Sequence, residues 1–134
     1  MAFFIQNIEK TTKENKNYRK VIYTAPVKNN KTENSKKSTF QLVLMSLNPQ
    51  EEIGLEVHPN TTQFFRVESG RGKVIAGDKE YKIRSDSIVI IPAGVKHNVI
   101  NSSKVRDLKL YTIYTPAEHK PRTVQKNKPK YSIV

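Results

Sequence analysis

This 134-residue chain has three histidines and no cysteine, so any metal or acid–base chemistry must be assembled from few donors. His58 stands two positions after Glu56. In a strand, residues i and i+2 point to the same face, so these two side chains can converge on one point. Pro59-Asn60-Thr61-Thr62 then turns the chain, and Gln63 opens the next strand candidate. A strand returning beside the first would bring Gln63 to the same point. Far downstream, His97 follows a sharp Pro92-Ala93-Gly94 turn. Two imidazoles, one carboxylate and one carboxamide make an N2O2 donor set suited to Zn, Fe, Mn, Ni or Co, with positions left open for water or substrate. A neutral amide is a weaker donor than a carboxylate, so the expected affinity is modest. Spacing alone leaves the alternative open, in which these polar groups hydrogen-bond one another around water. No Ser-His-Asp order, phosphate loop or paired-acid constellation stands out.

The elements that must position these residues are short and apolar. Residues 3–8 and 19–24 read as strands around a polar stretch at 10–18. The polar composition of residues 26–38 predicts a solvated loop. From Thr39 the pattern changes. Strand-like runs cover Thr39–Leu47, Ile53–Val57, Gln63–Glu68, Gly72–Ala76, Glu80–Ile83, Ser87–Ile91, Asn98–Asn101 and Leu108–Thr115. Turn residues separate them, including Ser69-Gly70, Gly77-Asp78 and Ser102-Ser103. Many short strands rich in Val, Ile, Phe, Tyr and Thr predict an all-β sandwich or barrel. No sustained 3.6-residue periodicity appears, so any helix is short. The predicted organisation is a strand-and-loop region at 1–38, a barrel at 39–115, and an extended basic tail at 116–134.

The residues flanking the candidate donors resemble the cupin superfamily. Its first motif has the form G-x5-H-x-H-x3,4-E-x6-G and maps onto Glu56-Val57-His58, then Gln63, then Gly70. Its second, G-x5-P-x-G-x2-H-x3-N, maps onto Pro92-Ala93-Gly94, His97 and Asn101. Gln50 and Asp86 stand where the two motifs open on glycine, Glu56 replaces the first histidine, and Gln63 replaces the glutamate. The chain looks most similar to the short single-domain, mannose-6-phosphate-isomerase-like cupins. The resemblance implies a double-stranded β-helix, or jelly-roll, barrel. It further implies a divalent metal (Zn, Fe, Mn or Ni) held by Glu56, His58, Gln63 and His97. Phosphomannose isomerases have a ligand set of the same composition, with the carboxylate and carboxamide exchanged in place.

Alternation then predicts the pocket wall. If Gln63 faces inward, so do Phe65 and Val67; if His97 does, so do Val99 and Asn101. Asn101 is expected to tie a loop through side-chain-to-backbone bonds. In the last strand, Leu108 and Leu110 set Thr112 and Tyr114 inside, leaving Tyr111 and Ile113 outside. With Phe64 these form an outward apolar patch that predicts a homodimer, and related cupins commonly dimerise. His119 is read as a surface residue, and Glu51, Glu52 and Glu68 as solvated.

The formal net charge is +12, with +6 in residues 1–38, +2 in 39–115 and +4 in 116–134. Basic flanks attract polyanions, but the aromatics do not interleave with the charges as a stacking platform requires. Nucleic-acid docking is therefore the less favoured expectation. The N-terminal apolar run is too short for a signal peptide, and no stretch approaches the ~18 apolar residues of a membrane span. The expectation is a cytoplasmic protein. The barrel would act on a small oxygenated molecule, sugar-like or enediol-like, as a metal-dependent isomerase or dioxygenase. The alternatives are a non-catalytic binding or sensing module and a basic interaction protein.

Overall fold

The structure is a computed structural model and describes residues 3–27 and 38–130. Among the described residues one helix, α1 (Ile8–Glu14), precedes nine strands: β1 (Arg19–Thr24), β2 (Gln41–Leu47), β3 (Thr62–Ser69), β4 (Arg71–Ala76), β5 (Lys79–Arg84), β6 (Ile88–Ile91), β7 (His97–Asn101), β8 (Leu108–Thr115) and β9 (Val124–Gln125). They form a six-stranded sheet in the order β6-β3-β8-β2-β1-β9 and a three-stranded sheet in the order β5-β4-β7. Every pairing between them is antiparallel.

One apolar core joins the two sheets. Val43, Met45, Phe65, Val67, Leu108 and Leu110 from the larger sheet cluster with Val74, Ile83 and Val99 from the smaller. Each such side chain, fully buried, contributes roughly 1.5–3 kcal/mol relative to exposure. Burial alternates along β8: Leu108, Leu110, Thr112 and Tyr114 face in, while Tyr111 and Ile113 are half-buried on the outer face. This double layer of antiparallel strands is the jelly roll that the motifs imply.

Two strand expectations fail for local reasons. Residues 3–7 have no regular structure, and Ile8 opens a helix capped by Asn7, whose Oδ1 accepts the Lys10 amide at 3.0 Å. A Glu9–Lys13 ion pair at 2.8 Å adds i,i+4 support on the exposed face. Ile53–Val57 makes only one isolated bridge, Glu56 to His97, and a second, Glu52 to Ile100, stands just before it. Gly54 at φ +105° breaks the run, and its amide bonds the Asn98 side chain instead of a neighbouring strand. Most of the predicted 26–38 loop lies outside the described residues.

The turns use backbone that favours glycine. Gly70 has φ +97°, and a Cβ there would stand 2.5 Å from the Asp107 carbonyl oxygen. Gln50 and Asp86, which replace the opening glycines of the two motifs, also have positive φ, 64° and 74°. The chain keeps the glycine-like conformation without the glycine. Asn101, 1% exposed, donates to the carbonyls of Leu47, Asn48 and Arg106 and accepts the Ser103 amide, so it ties the loop before β8. Among the described residues, no helix is long and apolar enough to cross a membrane.

Candidate metal centre at the barrel mouth

Backbone bonds stitch the two motif segments together. The Glu56 and His97 backbones exchange hydrogen bonds at 2.8 and 3.0 Å, and the Gly94 amide donates to the His58 carbonyl at 2.8 Å. Gly94 takes φ +88°, which lets the Pro92-Ala93-Gly94 turn deliver β7 against the Glu56 segment. Gln63 is the second residue of β3, paired on one side with Ile91 and on the other with Tyr114.

The side chains follow the backbone. One donor atom each from Glu56, His58 and His97 lies within 4.8 Å of the others. Glu56 Oε1 stands 3.5 Å from His58 Nε2 and 4.0 Å from His97 Nε2. Gln63 Oε1 lies 3.2 Å from His97 Nε2. Gln63 and His97 are almost completely buried and His58 is buried, whereas Glu56 is the partly exposed member.

Hydrogen bonds on the far side of each ring fix which atom faces the centre. His97 Nδ1 meets the Val95 carbonyl at 2.9 Å. A carbonyl only accepts, so Nδ1 carries a proton, and in the neutral ring Nε2 presents a lone pair. Gln63 Nε2 donates to Thr112 Oγ1 at 3.0 Å, which turns Oε1 toward that lone pair. His58 Nε2 is buried with no hydrogen-bond partner, while Nδ1 lies 3.2 Å from Glu118 Oε1. His58 is thus held between two carboxylates. The adjacent Glu56 carboxylate, with the charge of Glu118, raises its pKa above the ordinary imidazole value despite burial. Burial pushes the Glu56 carboxyl up, but the neighbouring His58 and His97 rings outweigh it and hold the group below the usual carboxylate range.

Of the predicted wall, Phe65 packs edge-on against His97 at 6.2 Å and Tyr114 against His58 at 5.8 Å, between ring centroids. Val67 and Val99 lie further along the same strands in the common core, each 1% exposed.

Two further residues come from the tail, where the sequence carried no signal. The described part of the tail folds back over the larger sheet. Ala117 bonds the Ser38 carbonyl, the Gln41 side chain clamps the backbone of Glu118 and His119, and β9 pairs with β1. This return places Glu118 on His58. It also corrects the surface reading of His119, which is half-buried and packs edge-on against Tyr114 at 5.1 Å, with Nε2 buried and unpartnered. Burial pulls its pKa down to about 4. The solvated reading of Glu68 is corrected too. A register shift between Val67 and Ser69 turns Glu68 out of alternation, and it is buried 3.5 Å from the Arg66 guanidinium.

Comparison with known proteins accords with this geometry. Residues 43–114 match the Cupin domain family. An uncharacterised protein of Acanthamoeba polyphaga mimivirus is 38% identical over 94% of this chain and 73% of its own length. The uncharacterised YrkC protein of Bacillus subtilis is 40% identical over 93% of this chain, which spans 63% of that relative. A crystal structure from Bacillus halodurans superposes with a TM-score of 0.82 at 39% identity, covering 93% of this chain and 89% of that one. A family match over more than half the chain, the jelly-roll sheets and the convergent motif residues lead to one assignment: the chain belongs to the cupin family.

Proposed function

We propose that the barrel mouth binds one divalent transition metal, drawn from Zn, Fe, Mn and Ni, through Glu56, His58, Gln63 and His97. The pocket around it takes a small oxygenated molecule, sugar-like or enediol-like. The observation that carries this reading is His58 Nε2: buried, without a hydrogen-bond partner, and facing a carboxylate and a second imidazole. Two imidazole nitrogens and two oxygens are a suitable donor set for such an ion.

The chain's own residues do the positioning. The Val95 carbonyl holds the His97 ring with Nε2 inward. Glu118 does the same for His58, as outer carboxylates do for metal-bound histidines. Glu56 supplies the negative charge on the donor set and, being partly exposed, lies on the open side where a ligand enters. Phe65 and Tyr114 hold the imidazole planes. When bound, the ion polarises a carbonyl or hydroxyl oxygen of the ligand. Isomerisation or oxygenation of such a molecule and its non-catalytic sensing are both compatible with this donor set.

Self-association belongs to the same reading. Ile90, Phe64, Ile113, Leu42 and Tyr23 stand in register across five strands on the outer face of the larger sheet. Phe3 and Ile5 beside the helix are 81% and 80% exposed, and Ile88 and Ile90 on the edge strand 56% and 58%. The N-terminal residues and α1 cover part of this face, with Phe4 against Tyr23, and the apolar surface left open suits a second copy of the chain.

Elemental analysis of the purified protein tests the metal reading. About one transition metal per chain is expected, together with its loss in His97→Ala while the far-ultraviolet circular dichroism is kept. Wild-type protein that stays metal-free after dialysis against each candidate ion would overturn it. Turnover of aldose, ketose or enediol substrates by the loaded protein then separates an enzyme from a sensor.

A further inference from the structure

The outer face of the small sheet places cations opposite cations. In the β4–β5 register Arg71 pairs with Arg84 and Lys73 with Lys82. Val74 and Ile83 point into the core, so these four alternate residues share the outward face. Like charges directly opposite on one face are destabilising, and two successive such pairs compound the effect. Only Lys73 finds local relief, from Glu80 at 3.3 Å. Among the described residues, Arg71, Lys82 and Arg84 make no ion pair.

The face is concave. A half-open groove of about 600 Å³ is lined by all four cations together with Glu80, Ser87 and Ser102. Arg71 also lines an adjoining groove of about 310 Å³ that contains Arg106. Opposed side chains stand about 5 Å apart across the strands and about 7 Å apart along them. One oxyanion can therefore touch several cations at once, and two linked oxyanions can cover the whole set. Arginine guanidinium groups match phosphate oxygens two at a time.

We propose that this groove is an anion site for a small molecule carrying two or more phosphate groups. It is distinct from the metal centre: it lies outside the barrel, around Arg71 and Gly72 at the start of β4, whereas His97 pairs with Ala76 at the other end. The volume falls within the range of small-molecule pockets. No aromatic ring lines the groove, so it offers no platform for stacked bases. A bound diphosphate would relieve the repulsion between the paired cations, and Lys73 would exchange Glu80 for the ligand.

The probe is inorganic pyrophosphate, titrated into chelator-treated His97→Ala protein at constant ionic strength, so that the metal centre cannot contribute. We expect saturable binding by calorimetry, with a melting temperature that rises with the logarithm of pyrophosphate concentration. The Arg71→Gln/Arg84→Gln double variant should weaken binding at least tenfold while melting no lower than its parent without ligand. Lys20→Gln, a charge change on the distant β1, should leave affinity unchanged. Linear, unsaturable uptake, or equal weakening by Lys20→Gln, overturns the proposal. So does binding of duplex DNA that is lost in the double variant when pyrophosphate fails to saturate.

Discussion

At the barrel mouth, the Gln63 carbonyl oxygen faces His97 Nε2, an acceptor in the neutral ring; on the outside of the small sheet, cation faces cation. Both regions set like against like, yet their surroundings make the conflicts very different in weight. Two charges ~4 Å apart interact with ~1 kcal/mol in water and ~4 kcal/mol at an effective dielectric constant of 20. The mouth is buried, so solvent cannot relieve it, and its side chains are pinned from behind: His97 by Val95, His58 by Glu118, Gln63 by Thr112. The outer face is screened by water and salt, and none of Arg71, Lys82 and Arg84 is pinned by an acid among the described residues. A buried conflict needs a particular partner of opposite sign at a fixed point. An exposed one tolerates many and gains affinity only where several cations reach one ligand.

The strongest way to break this comparison is to remove a pin. Glu118→Ala leaves His58 Nδ1 without its acceptor and frees the ring to turn. Losing an outer partner of a metal-bound histidine typically costs 10–100-fold in metal affinity, and that loss is expected here by competition against a chromophoric chelator. Glu118→Gln keeps an acceptor oxygen without the charge and should fall between. The metal-free melting temperatures should stay close together, because the Gln41 side chain holds the Glu118 backbone rather than its carboxylate. Wild-type affinity in both variants would mean that the tail only covers the mouth.

Glu118 also marks the limit of what could be read from the sequence. Glu56 and His58 were paired by an alternation argument, although their segment forms only an isolated bridge. Gln63 and His97 were legible because each stands at or beside the start of a strand and sheet alternation fixes its direction. The outward and inward faces of β8 were legible for the same reason. The Ile53–Val57 run was misread because period-2 apolarity does not register what one glycine at positive φ does to pairing. The tail contributions were invisible: Glu118 and His119 reach the site through Gln41, some 77 residues earlier in the chain, and no local pattern encodes that return. Charge misled in another way. The +2 of residues 39–115 looks neutral, but the fold sends Glu56 into the mouth and gathers Arg71, Lys73, Lys82 and Arg84 on one outer face. Net charge over a segment erases a segregation that strand alternation creates.

His119 sharpens the contrast between buried and exposed polar groups. Its ring faces Tyr114, with Arg19, Glu56 and His58 the charged groups that act on it, and burial leaves it deprotonated down to about pH 4. The unfolded chain takes up that proton near the ordinary imidazole value of about 6.5. A folded-state pKa below the unfolded one means that the unfolded state binds more protons in this window. Stability is therefore intact above about pH 6.5 and declines as the pH falls toward 4. His119→Phe keeps an aromatic ring against Tyr114 and removes the titration. Melting temperatures of metal-free protein from pH 7.5 to 4 should fall less steeply for the variant, by one proton's worth of linkage, with little difference at pH 7.5. Parallel curves would show the ring to be solvated.

The smallest expected effect tests the exposed side of the comparison. Lys82 lies directly opposite Lys73, and Lys73 already leans toward Glu80. Lys82→Glu turns a repulsive cross-strand pair into an attractive one without touching the core, because position 82 points away from Ile83 and Val74. Cross-strand pairs contribute roughly 0.2–1 kcal/mol, and solvent exposure keeps this one toward the lower end. The variant should melt slightly higher than wild type in low salt, with the gap closing as salt rises through the screening range. The same change should weaken pyrophosphate binding, since it puts a negative charge inside the groove. Stability up and anion affinity down from one residue is what a face kept cationic for a ligand predicts. A drop in both would mean that Lys82 is held by contacts other than its charge, and the opposed cations would then be incidental to the groove.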